Sequence, residues 1–150
     1  MVNPLELTSF RNHSKKTVKF SNRCTIIIGK NSSGKTNILE GIFLLSTGKS
    51  FKAKVEEEMI LLGEEISRVT CEVTNILNDQ SLVTDLYDES EQSILEVVLT
   101  RGIVDFGTSR PQKAPKKRLL LNETPKRMVD FAGNLKVVLF GPWDMNLTTD

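Results

Sequence analysis

"TIIIGKNSSGKTNILEGIFLL", residues 25–45, runs from β-branched apolar residues through a hinge bearing glycine and lysine into a stretch with helical spacing. The preceding turn of sequence completes "RCTIII", apolar on both faces, which suits a strand buried in the middle of a sheet. After the hinge, Ile38, Leu39, Ile42, Phe43 and Leu45 recur at helical spacing, so residues 35–47 read as a helix with Gly48 as its stop. The hinge itself, Gly29-Lys30-Asn31-Ser32-Ser33-Gly34-Lys35-Thr36, matches G-x-x-x-x-G-K-[ST].

Each fixed position of that pattern has a physical task. Gly29 and Gly34 let the backbone turn where a Cβ would clash. The concave run of N–H groups that results surrounds phosphate oxygens, and the helix beginning near Lys35 aims its positive end at the same anion. The Lys35 ammonium can reach the β- and γ-phosphates of a nucleotide, and the Thr36 hydroxyl can ligate Mg²⁺. A strand before the loop and an amphipathic helix after it are the context this mechanism demands, so nucleotide binding is the expected function of the stretch.

Outward from the hinge, "PLELTSF" and "KTVKF" alternate as half-buried strands do, and "VEEEMILLG" suits a second short helix ended by glycine. The period then changes. In "SRVTCEVT", Val69, Cys71 and Val73 point one way and Arg68, Thr70, Glu72 and Thr74 the other. "QSLVTDLY" and "SILEVVLTRG" look similar, so residues 66–104 suggest an antiparallel meander. Residues 106–117 form a Gly/Pro/Lys-rich loop, "RLLLN" and "LKVVLF" are further strands, and a short helix is expected from about Pro125 to Phe131. The chain reads as α/β with an antiparallel flank: a phosphate-loop lobe over 1–65, an antiparallel β-subdomain over 66–122, and a return to the core sheet over 123–150.

Composition bounds the function classes. The 150 residues suffice for one domain of ordinary size, and 39% hydrophobic with 26% charged residues is a globular balance. The net charge of +1 hides an uneven distribution. Residues 1–54 carry ten Lys/Arg against two Glu, 55–105 carry two Arg against thirteen acids, and 106–150 carry eight Lys/Arg against four acids. Either basic end is able to face a polyanion, or simply to be solvated surface. Cys24 and Cys71 both sit in apolar strand-like runs and His13 is the only histidine, which argues against a disulfide framework or a zinc site. The apolar runs fall short of the roughly 20 residues that cross a bilayer, and "MVNPLELTSFRN" lacks a signal-peptide pattern. A soluble, cytoplasmic chain is expected. Asp105-Phe106-Gly107 and Asp130-Phe131-Ala132-Gly133 have the letters of kinase and GTPase metal motifs without the flanking elements, and read as coincidences.

Taken together, "LTSFRNH", "GKNSSGKTNILEGIFLLSTGKSF" and "VVLFGPWDMNL" resemble the N-terminal part of the RecF family, bacterial recombination mediators with an ATPase head of SMC/ABC type. The resemblance runs loosely over nearly all of the chain, and "L-S-T-G-K-S-F" after the loop is its most specific part. It implies an ABC-type head with an antiparallel β-subdomain, ATP and Mg²⁺ as cofactors, and ATP-dependent homodimerisation. It also implies binding to DNA at gaps and single-strand/double-strand junctions, and support for RecA loading alongside RecO and RecR in DNA repair, replication and the SOS response. Residue by residue, the nucleotide site carries over onto Gly29 to Thr36. Arg11 and Asn12 of "FRNH" match positions close to the nucleotide in related heads, though Arg11 equally suits a strand-end cap on the surface. Two departures stand out: Trp143 where the family usually has an acidic residue, and Ser32 where glycine is frequent.

No apolar run followed by Asp-Glu occurs to supply a Walker B pair, nor any S-G-G-type signature. The sequence therefore reads as an N-terminal fragment, incomplete on its C-terminal side, with ATPase activity expected of the complete protein rather than of this chain. In "RPQKAPKKR", Arg110, Lys113, Lys116, Lys117 and Arg118 are candidates for sequence-independent contacts to DNA phosphates, the plain alternative being a solvated hairpin loop. Two other readings compete for the whole chain. One is a different SMC-like or OLD-like head, for which "L-S-T-G-K-S-F" is not expected; the other is a small-molecule kinase, against which the β-meander argues.

Overall fold

The structure, a computed structural model, describes residues 2–75, 91–104 and 111–141. Its frame is a six-stranded antiparallel sheet of order β2-β1-β3-β4-β7-β8, built from β1 (Val2–Phe10), β2 (His13–Val18), β3 (Ile66–Asn75), β4 (Glu91–Thr100), β7 (Lys117–Leu121) and β8 (Thr124–Lys126). β5 (Ile103–Val104) and β6 (Gln112–Lys113) make a separate small ribbon. The alternation read from β1 and β3 sets the register: Leu5 lies opposite Cys71 and Leu7 opposite Val69, which in turn face Leu95 and Val97. One face of the sheet is thereby apolar and buried, from Leu5 and Leu7 through Val69, Cys71, Leu95 and Val97 to Leu119. Each such side chain contributes about 1.5–3 kcal/mol on leaving water.

Helix α1 (Lys35–Thr47) crosses this face over β1, β3 and β4. Its buried positions are Ile38, Glu40, Gly41, Leu44, Leu45 and Ser46, so the apolar stripe is rotated from the expected one and Leu39 is 41% exposed. Gly41 explains the rotation. A Cβ there would come within 2.9 Å of Leu7 Cδ2, so any larger residue would have to push that side chain aside for the helix to lie this close to β1. Gly48 ends α1 as expected, returning its N–H to Leu44 O at 2.8 Å.

Four expectations are corrected. "RCTIII" is not a strand: Ile26 and Ile28 are 80% and 86% exposed. "LKVVLF" is not a strand either, with Val138 and Phe140 exposed. A strand exists only through a neighbour that takes its N–H and C=O groups, and no described strand pairs with either stretch. Ile27 and Val137 still pack against the core, so the alternation is kept without the ladder. "VEEEMILLG" forms only a 3₁₀ turn, Glu56–Met59.

The helix expected over Pro125–Phe131 divides into β8 and the short α2 (Met128–Phe131). Asn122 and Glu123 both have positive φ and join Leu121 to Thr124 in a two-residue hairpin, a turn usually written with Gly. β1 and β2 belong to the same sheet as β3, so the sheet spans the division drawn at residue 65. "QSLVTDLY", Asp105-Phe106-Gly107, Arg110 and Trp143 lie outside the described residues. Among the described residues no helix is long and apolar enough to cross a membrane.

Candidate nucleotide-binding site

The loop of residues 29–36 leads straight into α1, whose N-cap Gly34 carries no side-chain cap and whose first turn holds no acid. The first amides of the helix thus keep their positive end free of a competing carboxylate. Gly34 sits at φ +91 and Ser32 at φ +64, both in the left-handed region that bends the loop into a concave arc. Ser33 N–H closes the arc onto Lys30 O at 3.3 Å. A Cβ at Gly29 would meet Ser33 Oγ at 2.8 Å, so the loop packs on itself. Lys35 Nζ folds back over it, donating to Gly29 O and Lys30 O at 2.8 Å each. Thr36 is exposed at the start of α1. Ser32 adopts a positive φ that glycine would adopt at lower cost, which is the physical reason for glycine at this position.

The β1–β2 turn holds the loop from outside. Asn12 Nδ2 donates to Ser32 O at 3.2 Å, Asn37 Nδ2 donates to Asn12 Oδ1 at 2.8 Å, and His13 Nε2 lies 3.2 Å from Gly34 O. Asn12 and His13 press so closely on Gly34 that an added Cβ would stand 2.5 Å from both side chains. Asn12 therefore packs against the loop and bonds to it. Arg11 is not a cap on the surface: its guanidinium grips Glu40, Nε to Oε2 at 2.8 Å and Nη2 to Oε1 at 2.5 Å, with Nη1 on Glu58 O at 2.6 Å. The reason is Glu40, wholly buried in α1 and in need of a paired charge. Sequence reading missed Glu40 and His13. The one acid in "NILEGIFLL" was the available signal, since a carboxylate beside a buried glycine requires a partner.

Beside the loop, between β2 and residues 25–29, lies a cavity of about 560 Å³. Val18, Ile27 and Ile38 give it an apolar wall, and His13, Lys16 and Lys35 a polar one. Its size falls within the range of small-molecule sites.

The basic stretch 110–118 does not present its cations together. Lys116 pairs with Glu57 at 2.6 Å and Lys117 with Glu56 at 2.8 Å. The lysine hydrogen bonds hold both carboxyls below the usual 4.5, and the Lys116 ammonium is raised correspondingly. Lys113 is exposed on β6, and Arg118 lines a groove on the open face of the sheet with Ile66 and Val98. Neither makes an ion pair among the described residues, nor do Lys15, Lys16, Lys19, Arg23, Lys30, Lys49, Lys52 and Lys54. The uncompensated charge is concentrated in the first third of the chain, with Lys16 and Lys19 lining the cavity beside the phosphate loop. Asp130 of D-F-A-G is taken up by Arg127 at 2.9 Å.

Residues 1–112 match the model of the RecF/RecN/SMC N terminal domain. The chain belongs to this family. "DNA replication and repair protein RecF" of Alkaliphilus oremlandii is 30% identical over 151 residues, covering 100% of this chain and 34% of the relative. The RecF of Geotalea uraniireducens is 35% identical over 146 residues, covering 97% and 33%. The chain thus spans about a third of the length of the curated relatives it matches. A structure of the recombination mediator protein RecF with ATP superimposes with a TM-score of 0.74 at 23% identity, over 98% of this chain and 34% of that one. A structure concerned with ATP-driven dimerization and DNA-stimulated activation of SMC ATPases gives 0.68 at 18% identity, over 99% and 92%. The fold is that of RecF and SMC ATPase heads, with the antiparallel subdomain read from the alternating segments.

Proposed function

We propose that this chain is the nucleotide-binding part of a RecF-type DNA replication and repair protein. The observation that carries the reading is the complete phosphate loop, bent at Ser32 and Gly34 and set at the uncapped start of α1. The residues fit ATP with Mg²⁺. Backbone amides of residues 29–36 take the phosphate oxygens, and the Lys35 ammonium exchanges the Gly29 and Lys30 carbonyls for phosphate. The Thr36 hydroxyl supplies a ligand to Mg²⁺, which neutralises phosphate charge when bound. The nucleoside occupies the cavity beside Val18 and Ile27. Relatives named as replication and repair proteins and a RecF structure with ATP support this assignment.

The wider role is proposed on the same family grounds. ATP-dependent homodimerisation, binding at DNA gaps and junctions, and RecA loading with RecO and RecR belong to the complete protein, as does ATP hydrolysis. Of the candidate DNA contacts among the described residues, Lys113 and Arg118 are the cations available for phosphates, because Lys116 and Lys117 are held by Glu57 and Glu56. Calorimetric titration with ATP and Mg²⁺ tests the core of the proposal. Wild type binds, and Lys35→Ala loses at least about tenfold in affinity, the worth of one charge-assisted hydrogen bond, with an unchanged circular dichroism spectrum. Equal binding by the two proteins overturns it.

A further inference from the structure

Glu40 is the only acid among the fully buried side chains of the described residues, and it lies on the helix that the phosphate loop opens. Its carboxylate accepts three hydrogen bonds: two from the Arg11 fork, and one from Ser50 Oγ to Oε1 at 2.5 Å. The remaining guanidinium nitrogen of Arg11 donates to Glu58 O, and the Arg11 backbone N–H donates to Met59 O at 2.8 Å. One ion pair thus joins the β1–β2 turn, α1, the loop after α1 and the 3₁₀ turn. The loop after α1 is itself pinned. Ser50 Oγ accepts from the N–H of Lys52 and Ala53, and Phe51 sets its ring edge-on to Phe43 of α1 at 5.5 Å.

The side chains of Arg11, Glu40 and Ser50 make no hydrogen bond to the phosphate loop. The next residue does. Asn12 holds Ser32 O from a turn whose direction Arg11 sets, and Ser32 is a non-glycine residue at φ +64, a conformation that needs outside support. We propose that Arg11, Glu40 and Ser50 form a positioning latch that fixes the phosphate loop through Asn12, so that a wholly buried carboxylate sets nucleotide affinity. The inference rests on the nucleotide-binding reading of the loop. Fork geometry explains why arginine stands at position 11: its planar donors engage both carboxylate oxygens and Glu58 O at once, which lysine's single ammonium on a flexible stem does not reproduce.

The test titrates a fluorescent ATP analogue with Mg²⁺ into the full chain and into Asn12→Ala, Arg11→Lys, Glu40→Gln and the double variant Asn12→Ala/Glu40→Gln. Each is also melted without nucleotide. Asn12→Ala is expected to weaken binding about tenfold with only a small drop in melting temperature, since it removes two exposed hydrogen bonds at the loop. Arg11→Lys and Glu40→Gln weaken binding by a similar factor, and the double variant binds no worse than Asn12→Ala alone, because both act on one link. If Glu40→Gln does not fold, Ser50→Ala takes its place in the cycle, removing one hydrogen bond from the same carboxylate. Additive losses in the double variant, or affinities that follow melting temperature across all variants, overturn the latch while leaving the nucleotide site standing. A wild-type chain that binds no nucleotide overturns both.

Discussion

Gly34 and Gly63 offer a matched pair for testing how the phosphate loop is held. Both adopt left-handed backbones, at φ +91 and +89. Around Gly63 there is nothing within 4 Å of an added Cβ, whereas at Gly34 Asn12 Oδ1 and His13 Nε2 would each lie 2.5 Å away. Alanine at either site incurs the left-handed penalty of about 1–2 kcal/mol. At Gly34 it must also expel the two side chains and with them the contacts to Ser32 O, Asn37 and Gly34 O. At about 0.5–1.5 kcal/mol for each hydrogen bond, discounted for their exposure, the additional cost is about 1–3 kcal/mol. Urea unfolding followed by circular dichroism should therefore find Gly34→Ala less stable than Gly63→Ala by that difference. In a nucleotide titration Gly63→Ala should match wild type, and Gly34→Ala should lose at least about tenfold. Equal stability of the two variants, or wild-type affinity in Gly34→Ala, would refute the idea that the β1–β2 turn braces the loop.

Acid should loosen the ties that Glu56 and Glu57 of the 3₁₀ turn make to Lys117 at the start of β7 and to Lys116 just before it. The Lys117 and Lys116 hydrogen bonds lower the Glu56 and Glu57 carboxyls from 4.5, so their stabilisation is complete above that value and is lost as pH falls through the lowered one. A stability profile flat from pH 4.5 down to pH 2 would contradict this. Burial pushes the Cys71 thiol up to about 12 while Cys24 is exposed, so a maleimide should label Cys24 in the native chain and Cys71 only in denaturant, as peptide mass mapping would reveal. Exposed Ile26, Ile28, Val138 and Phe140 should make the chain self-associate, and light scattering should show Ile28→Lys reducing this without lowering stability. If Lys113 and Arg118 contact DNA phosphates, neutralising both should flatten the salt dependence of DNA binding by about two units of slope, and neutralising the paired Lys116 and Lys117 by less.

The sequence by itself determined the parts whose physics is local. The glycines, lysine and threonine of 29–36 can be recognised because a phosphate loop is written in consecutive residues. α1 and its stop at Gly48, and the alternation of β1, β3 and β4, follow from side-chain periods that any window of the chain displays. What the tertiary structure decided depends on who stands beside whom. "RCTIII" and "LKVVLF" have the composition of strands, yet strand formation needs a partner ladder, and no described strand provides one. Arg11 was left between the nucleotide and the surface by the sequence and is held by Glu40, twenty-nine residues away, because burying that carboxylate demanded a charge that only the fold brings near. Lys116 and Lys117 looked like a free basic loop until the 3₁₀ turn set Glu57 and Glu56 against them. Electrostatic partners are chosen by distance in space, and a linear sequence records only distance along the chain.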